Sequence, residues 1–185
     1  MFANPRLLLA CAVTAVLAGC GTPPVTVPPP VPATSAPTSA AFGGTDRSWL
    51  EINIAMDEEL LPLLDLAATR GDDTALQQLA DQVKVVIDEE LGTLRQLHAD
   101  AGLPAENPHK GMPMPGMVTP SQVAEAGRQR GADFDETLRD CLRAHLEQSR
   151  QLAGSERTAG SEPRTVALAD RIFTSREEFL KSLDS

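Results

Sequence analysis

The chain has 185 residues, with 16 Lys+Arg against 26 Asp+Glu, and its aromatic content is five Phe, one Trp and no Tyr. That length suits one domain of ordinary size plus an attached segment. A net charge of −10 leaves no basic surplus to neutralise phosphates, which argues against a nucleic-acid binder. So few aromatics argue against a large β-sandwich, while the abundance of Ala, Leu, Glu, Asp, Arg and Gln favours helices.

Residues 1–45 carry a single charged side chain, Arg6. Arg6 precedes the apolar run Leu7 to Val16, which closes on Leu17-Ala18-Gly19-Cys20. A charged start, a short apolar core and small residues before a cut mark a secretory signal, too short to span a membrane. Its ending resembles a bacterial lipobox, in which Cys20 becomes the lipid-modified first residue of the mature chain. The expectation is a protein held by membrane lipid on the outer face of the cell membrane. Residues 21–45 hold seven prolines among Thr, Ser and Ala. Such a stretch cannot build a core and acts as a semi-rigid tether of about 3 Å per residue.

The remainder, 46–185, reads as helices. Trp49, Ile52, Met56, Leu60, Leu63, Leu64 and Ala67 recur at helical spacing over about 46–69, with Pro62 expected to kink the helix. A second helix over about 73–101 carries Leu76, Leu79, Val83, Val86, Ile87, Leu91, Leu94 and Leu97 inward, and Gly102 and Pro104 end it. Thr119-Pro120-Ser121-Gln122 has the form of a capping box and opens a short helix to about 129. A third long helix spans about 132–153, with Phe134, Leu138, Cys141, Leu142, His145 and Leu152 inward. After a Gly/Ser turn over 154–163, the last helix runs over about 164–183, with Val166, Ala169, Ile172, Phe173, Phe179, Leu180 and Leu183 inward.

A weak repeat relates the two halves. Leu79-Ala80-Asp81-Gln82-Val83 lies over Leu168-Ala169-Asp170-Arg171-Ile172, and Met56 falls at the position of His145. The expected fold is all-α: an antiparallel four-helix bundle of two repeated hairpins, with a short extra helix in the central connection.

Met112-Pro113-Met114-Pro115-Gly116-Met117-Val118-Thr119-Pro120-Ser121-Gln122, followed by Gly131-Ala132-Asp133-Phe134-Asp135, resembles the centre of the domain of unknown function 305 family. The resemblance covers about 46–185. It implies an exported, ferritin-like helical bundle, often a lipoprotein in actinobacteria, and some members bind copper through His and Met. The family pattern places a His-His pair in the first helix of each hairpin and a Gln in each second helix. Here the pairs read Met56-Asp57 and His145-Leu146, and the Gln positions read Ile87 and Arg176.

Two sets of soft ligands are candidates for Cu(I). Cys141 and His145 share a helical face, and Met56 approaches from the other hairpin. Thiolate, thioether and imidazole together suit that ion. The alternative is a buried Cys, Met and His filling a core. The second set is His109, Met112, Met114 and Met117 in the central connection, whose alternative is a connector with methionines tucked against the bundle. Asp57-Glu58-Glu59 and Asp88-Glu89-Glu90 read as solvated faces. No pair of Glu-x-x-His motifs on facing helices, as a dimetal centre needs, and no Gly-rich phosphate loop, Gly-x-Ser-x-Gly elbow or His-Glu-x-x-His helix occurs. The reading is therefore non-catalytic: an interaction or scaffold domain, with copper capture as the alternative, and no partner beyond the lipid anchor is named. Cys20→Ala is expected to leave the protein unprocessed or shed into the medium. Detergent-phase partitioning and labelled-lipid incorporation that persist in this variant would contradict the lipobox.

Overall fold

The apolar stripes close into a bundle of four long helices and two short ones in the computed structural model, which describes residues 41–185. The signal segment, Cys20 and most of the tether lie outside the described residues. The elements are α1 (Gly44–Leu64), α2 (Ala67–Arg70), α3 (Thr74–Asp100), α4 (Pro120–Ala126), α5 (Ala132–Ala159) and α6 (Pro163–Leu183). Helices α1 and α3 form one hairpin and α5 and α6 the other; α1 also packs on α5, and α3 on α6. No strand occurs among the described residues.

The helix ends follow local chemistry. Asp73 caps α3, its carboxylate accepting from the N–H groups of Ala75 (3.0 Å) and Leu76 (3.1 Å). At the other end Gly102 takes φ +64°, and N–H groups of Gly102 and Leu103 bond back to Ala99 and His98. That double closure needs a left-handed residue, which glycine supplies without a Cβ clash. The expected capping box also forms: the Thr119 N–H donates to Gln122 Oε1 (2.9 Å) and the Gln122 N–H to Thr119 Oγ1 (3.3 Å).

Two boundaries differ from expectation. The first helix does not continue as a kinked rod to 69. It stops at Leu64, two residues past Pro62, and restarts as α2. There the backbone tightens, with Leu66 N–H bonding to Leu63 three residues back, while Asp65 still bonds to Leu61. Conversely, α5 runs six residues beyond the expected end, straight through Gly154. Gly154 leaves room for the Phe173 ring, which a Cβ there would touch at 3.4 Å. The turn shrinks to Gly160–Glu162, and Glu162 caps α6 through the Thr165 N–H (2.7 Å).

The core holds Leu50, Leu60, Leu63, Val83, Ile87, Leu91, Leu94, Phe134, Leu138, Leu142, Leu146 and Ile172, all essentially inaccessible. Cys141, Leu152, Phe173 and Phe179, expected fully inward, are half-buried along its edge. Their places on the innermost face are taken by Ser149, Glu156, Thr165 and Arg176, polar residues in apolar register. Leu91, 1% exposed on α3, supplies the direct test of register: Leu91→Ala is expected to cost about 2–5 kcal/mol. The neighbouring exposed Glu89→Ala should change stability by less than about 0.5 kcal/mol. Equal urea midpoints for the two variants would contradict the helical register.

Candidate functional site in the bundle core

Each long helix sends at least one polar group to the bundle centre: Asp57 from α1, Glu90 from α3, His145 and Ser149 from α5, and Arg176 from α6. Arg176 is completely buried. Its Nη2 donates to Glu90 Oε2 (2.6 Å) and its Nη1 to Glu90 Oε1 (3.1 Å), a two-pronged pair across α3 and α6. Its Nε donates to Ser149 Oγ (3.1 Å), and Nη1 reaches Ser175 Oγ (3.1 Å). Asp57 Oδ1 lies 3.8 Å from Nη2 and 3.4 Å from His145 Nε2. A planar fork that matches a carboxylate in this way gives strong, directional pairing.

Burial sets the protonation states. Desolvation raises the Glu90 carboxyl above its ordinary range, against the opposing pull of Arg176. Desolvation likewise holds the His145 imidazole below its usual value in spite of Asp57, so the ring is neutral at physiological pH. Neither ring nitrogen, nor either Asp57 oxygen, reaches full hydrogen-bond geometry, although the Gly116 backbone also approaches the ring.

That approach depends on the central connection. Gly116, at φ +73°, lies flat on α5, where a Cβ would come within 2.7 Å of the Ala144 carbonyl. The same fold of chain brings Met117, 5% exposed, against Ala55 and Met56, with Met114 and Ile52 at the margin. Residues 53–57 of α1 are therefore buried all round, by helices on some sides and by the connection on the rest.

The structure redistributes the two soft-ligand sets. Met56 joins Met114 and Met117 in one cluster. Met112 stays 44% exposed, and His109 lies in a separate turn in which its N–H bonds the Asn107 side chain (2.9 Å). Cys141 is half-buried against the main apolar core; burial, with some help from Asp140, pushes its thiol up. His145 faces Asp57 from within the core, its Nε2 3.4 Å from Oδ1. Among the described residues, no three His, Cys, Asp or Glu side chains come together as a metal cage. The Asp57–Glu90 centre does not fit a metal ion, because a guanidinium already stands between its carboxylates. The Met56–Met114–Met117 cluster, all thioethers, does fit Cu(I) by the chemistry of its donors.

Two acidic triplets read as solvated faces each place one member in this core: Asp57 is 1% exposed and Glu90 8%. The signal that finds them is register. Arg176 lies four residues from both Ile172 and Leu180, and Glu90 lies between Ile87 and Leu94 on the buried face of α3. Arg176 and Ile87 are also equivalent in the repeat, so one hairpin carries an apolar residue where the other carries a charge.

A groove of about 550 Å³ opens beside this core between α1, α3 and the connection, lined by Ile54, Glu58, Arg95, His98 and Lys110. A second, of about 410 Å³, adjoins it through Glu58 and Lys110 and is walled by Pro62, Val118 and Val123. Together they give α1 a concave face that is polar at one end and apolar at the other.

No curated protein matches the chain. Two solved structures share its fold. One is a DUF305 fragment from Deinococcus radiodurans, 13% identical, with a TM-score of 0.68 over 78% of this chain and 95% of that one. The other is a DUF305 protein from Streptomyces coelicolor that is inferred to be secreted, 16% identical, with a TM-score of 0.67 over 75% of this chain and 88% of that one. The family described as domain of unknown function (DUF305) matches residues 46–185, all but the first two residues of the described helices, and the chain belongs to that family.

Proposed function

We propose that this protein is an exported lipoprotein, anchored through Cys20, whose bundle is a non-catalytic interaction or scaffold module. The observation that carries this reading is Arg176. Its guanidinium supplies, from within the chain, the positive charge that carboxylates at a bundle centre otherwise take from a bound ion. An arginine stays protonated at any physiological pH, so Glu90 has a permanent counter-charge supplied by the chain itself. His145 is sealed away from any substrate, and burial disfavours the Cys141 thiolate, which leaves neither poised as base or nucleophile. What remains for function is the surface, and the concave face along α1 offers mixed chemistry to a partner. No described helix is long and apolar enough to cross a membrane, which is compatible with attachment by lipid.

A second reading, Cu(I) capture, is favoured by one observation: the connection folds Met114 and Met117 onto Met56. Thioethers suit this ion outside the cytoplasm, and the exposed Met112 lies on the same segment.

Two measurements test these readings. Arg176→Gln leaves Glu90 and Asp57 buried with no full counter-charge, and is expected to cost about 3–5 kcal/mol in urea unfolding. Arg176→Met combined with Glu90→Leu and Asp57→Asn should lose much less, because it removes all three buried charges. If Arg176→Gln is as stable as wild type, the core does not depend on the guanidinium. In a Cu(I) titration against a competing chelator under reducing conditions, the interaction reading predicts affinity no greater than that of unfolded Met peptides. Tight binding that raises the melting temperature, and that is lost in Met117→Leu, would overturn it in favour of copper capture.

A further inference from the structure

Where the chain enters the bundle, Asp46 in the first turn of α1 is completely buried and heavily bonded. Its carboxylate accepts from the N–H groups of Gly43 (2.6 Å), Ser161 (2.9 Å) and Glu162 (3.0 Å), and from the Ser161 hydroxyl (2.7 Å). It thereby ties the start of α1 to the α5–α6 turn, 115 residues away in sequence. Glu156, in the last turn of α5, is also completely buried and lies within hydrogen-bonding reach of Asp46. Neither Glu156 oxygen has a donor from the protein. The absence of a side chain at Gly160 makes room for that carboxyl, which a Cβ there would strike.

The charged groups on the surrounding elements are committed elsewhere. On α1, Arg47 donates to the Ala101 carbonyl (2.7 Å). On α5, Arg157 pairs with Asp170 (2.9 Å) and stacks over Phe173. At the start of α6, Arg164 is shared between Glu162 (2.7 Å) and Asp100 of α3 (2.6 Å). A metal cation is no better a partner, because three N–H groups already point at Asp46 and would repel it. Two ionised carboxylates cannot share so closed a site, which leaves a proton as the bridge.

We propose that Glu156 and Asp46 form a proton-held latch that fastens the entry of α1 to the α5–α6 turn and opens in alkaline conditions. In the closed form, neutral Glu156 donates its O–H to the Asp46 carboxylate. When Glu156 ionises, the proton leaves to solvent and two facing negative charges push the first turn of α1 away from Gly160–Glu162.

The electrostatics agree with this geometry. Burial first, then the hydrogen bond with Asp46, and last the Asp46 charge push the Glu156 carboxyl up to about 8. Burial alone would raise Asp46 as well, but its donors outweigh it and hold that carboxyl well below the usual range. A group raised on folding contributes stability that is full below its unfolded value. For Glu156 that contribution declines as pH climbs from the ordinary carboxyl range and is exhausted above about 8. Asp46, being depressed, contributes throughout this window and fails only in strong acid.

Trp49, the chain's single Trp, is buried one turn along α1 from Asp46 and reports on the latch. Its emission, followed in the wild-type bundle over roughly pH 6 to 10, is expected to shift to the red with a midpoint near that of Glu156. Glu156→Gln can still donate to Asp46 but cannot ionise, so the transition should vanish and the melting temperature become flat across the same window. A transition that persists unchanged in Glu156→Gln would overturn the proposal. Should that variant fail to fold, the carbon-13 resonance of the wild-type Glu156 carboxyl decides. A midpoint near neutral-to-alkaline pH supports the latch, and one at the ordinary glutamate value of about 4.3 overturns it.

Discussion

The pairing of Arg176 with Glu90, inside a core otherwise built of Leu, Ile, Val and Phe, is the interaction on which this bundle depends. Charges taken out of water cost several kcal/mol each in real proteins, roughly, and mutual attraction offsets that only in good geometry. The geometry here is good: two parallel contacts to one carboxylate, Ser149 on Nε, and Asp57 on the remaining side. Because α1, α3 and α6 each contribute a charged member and α5 contributes Ser149, sliding any one helix by a turn strands a buried charge or one of its hydrogen-bonding groups. The network thus selects one register among the several that Leu-rich stripes would tolerate.

The central connection completes the same region from outside. Gly116 lies flat on α5 beside His145, and Met117 covers Met56, so residues 53–57 of α1 have no face toward solvent. The connection is therefore part of the core, which explains how a Pro-, Gly- and Met-rich stretch without regular structure stays packed. The thioether cluster and the charge network are neighbours through the adjacent residues Met56 and Asp57, and each is closed by a different part of the chain.

Much of this was legible in the residues. The four long helices, their order and their pairing follow from the apolar period, and the caps at Asp73, Gly102 and Thr119 follow from local chemistry. The end of α5 did not, because Gly154 and Ser155 look like a turn until Phe173 is seen to pack against the glycine. The break after Pro62 was legible in place but not in kind, since a missing N–H shows where a helix is weakened and tertiary packing decides whether it bends or stops. The charge network was hidden by composition: Asp57 and Glu90 sit within acidic triplets whose other members are more exposed. Only register, read residue by residue, separates the buried carboxylates from their neighbours. The meeting of Met114 and Met117 with Met56 depends on the path of an irregular segment, which no periodicity encodes.

The most direct measurement of the central claim is nitrogen-15 NMR of the Arg176 guanidinium in the folded protein. The account predicts resolved Nη resonances with hindered rotation about the Cζ–N bonds, and an Nε proton protected from exchange by Ser149. Rapidly averaged Nη signals and fast-exchanging protons, as for a solvated arginine, would contradict a guanidinium locked at the centre of the bundle.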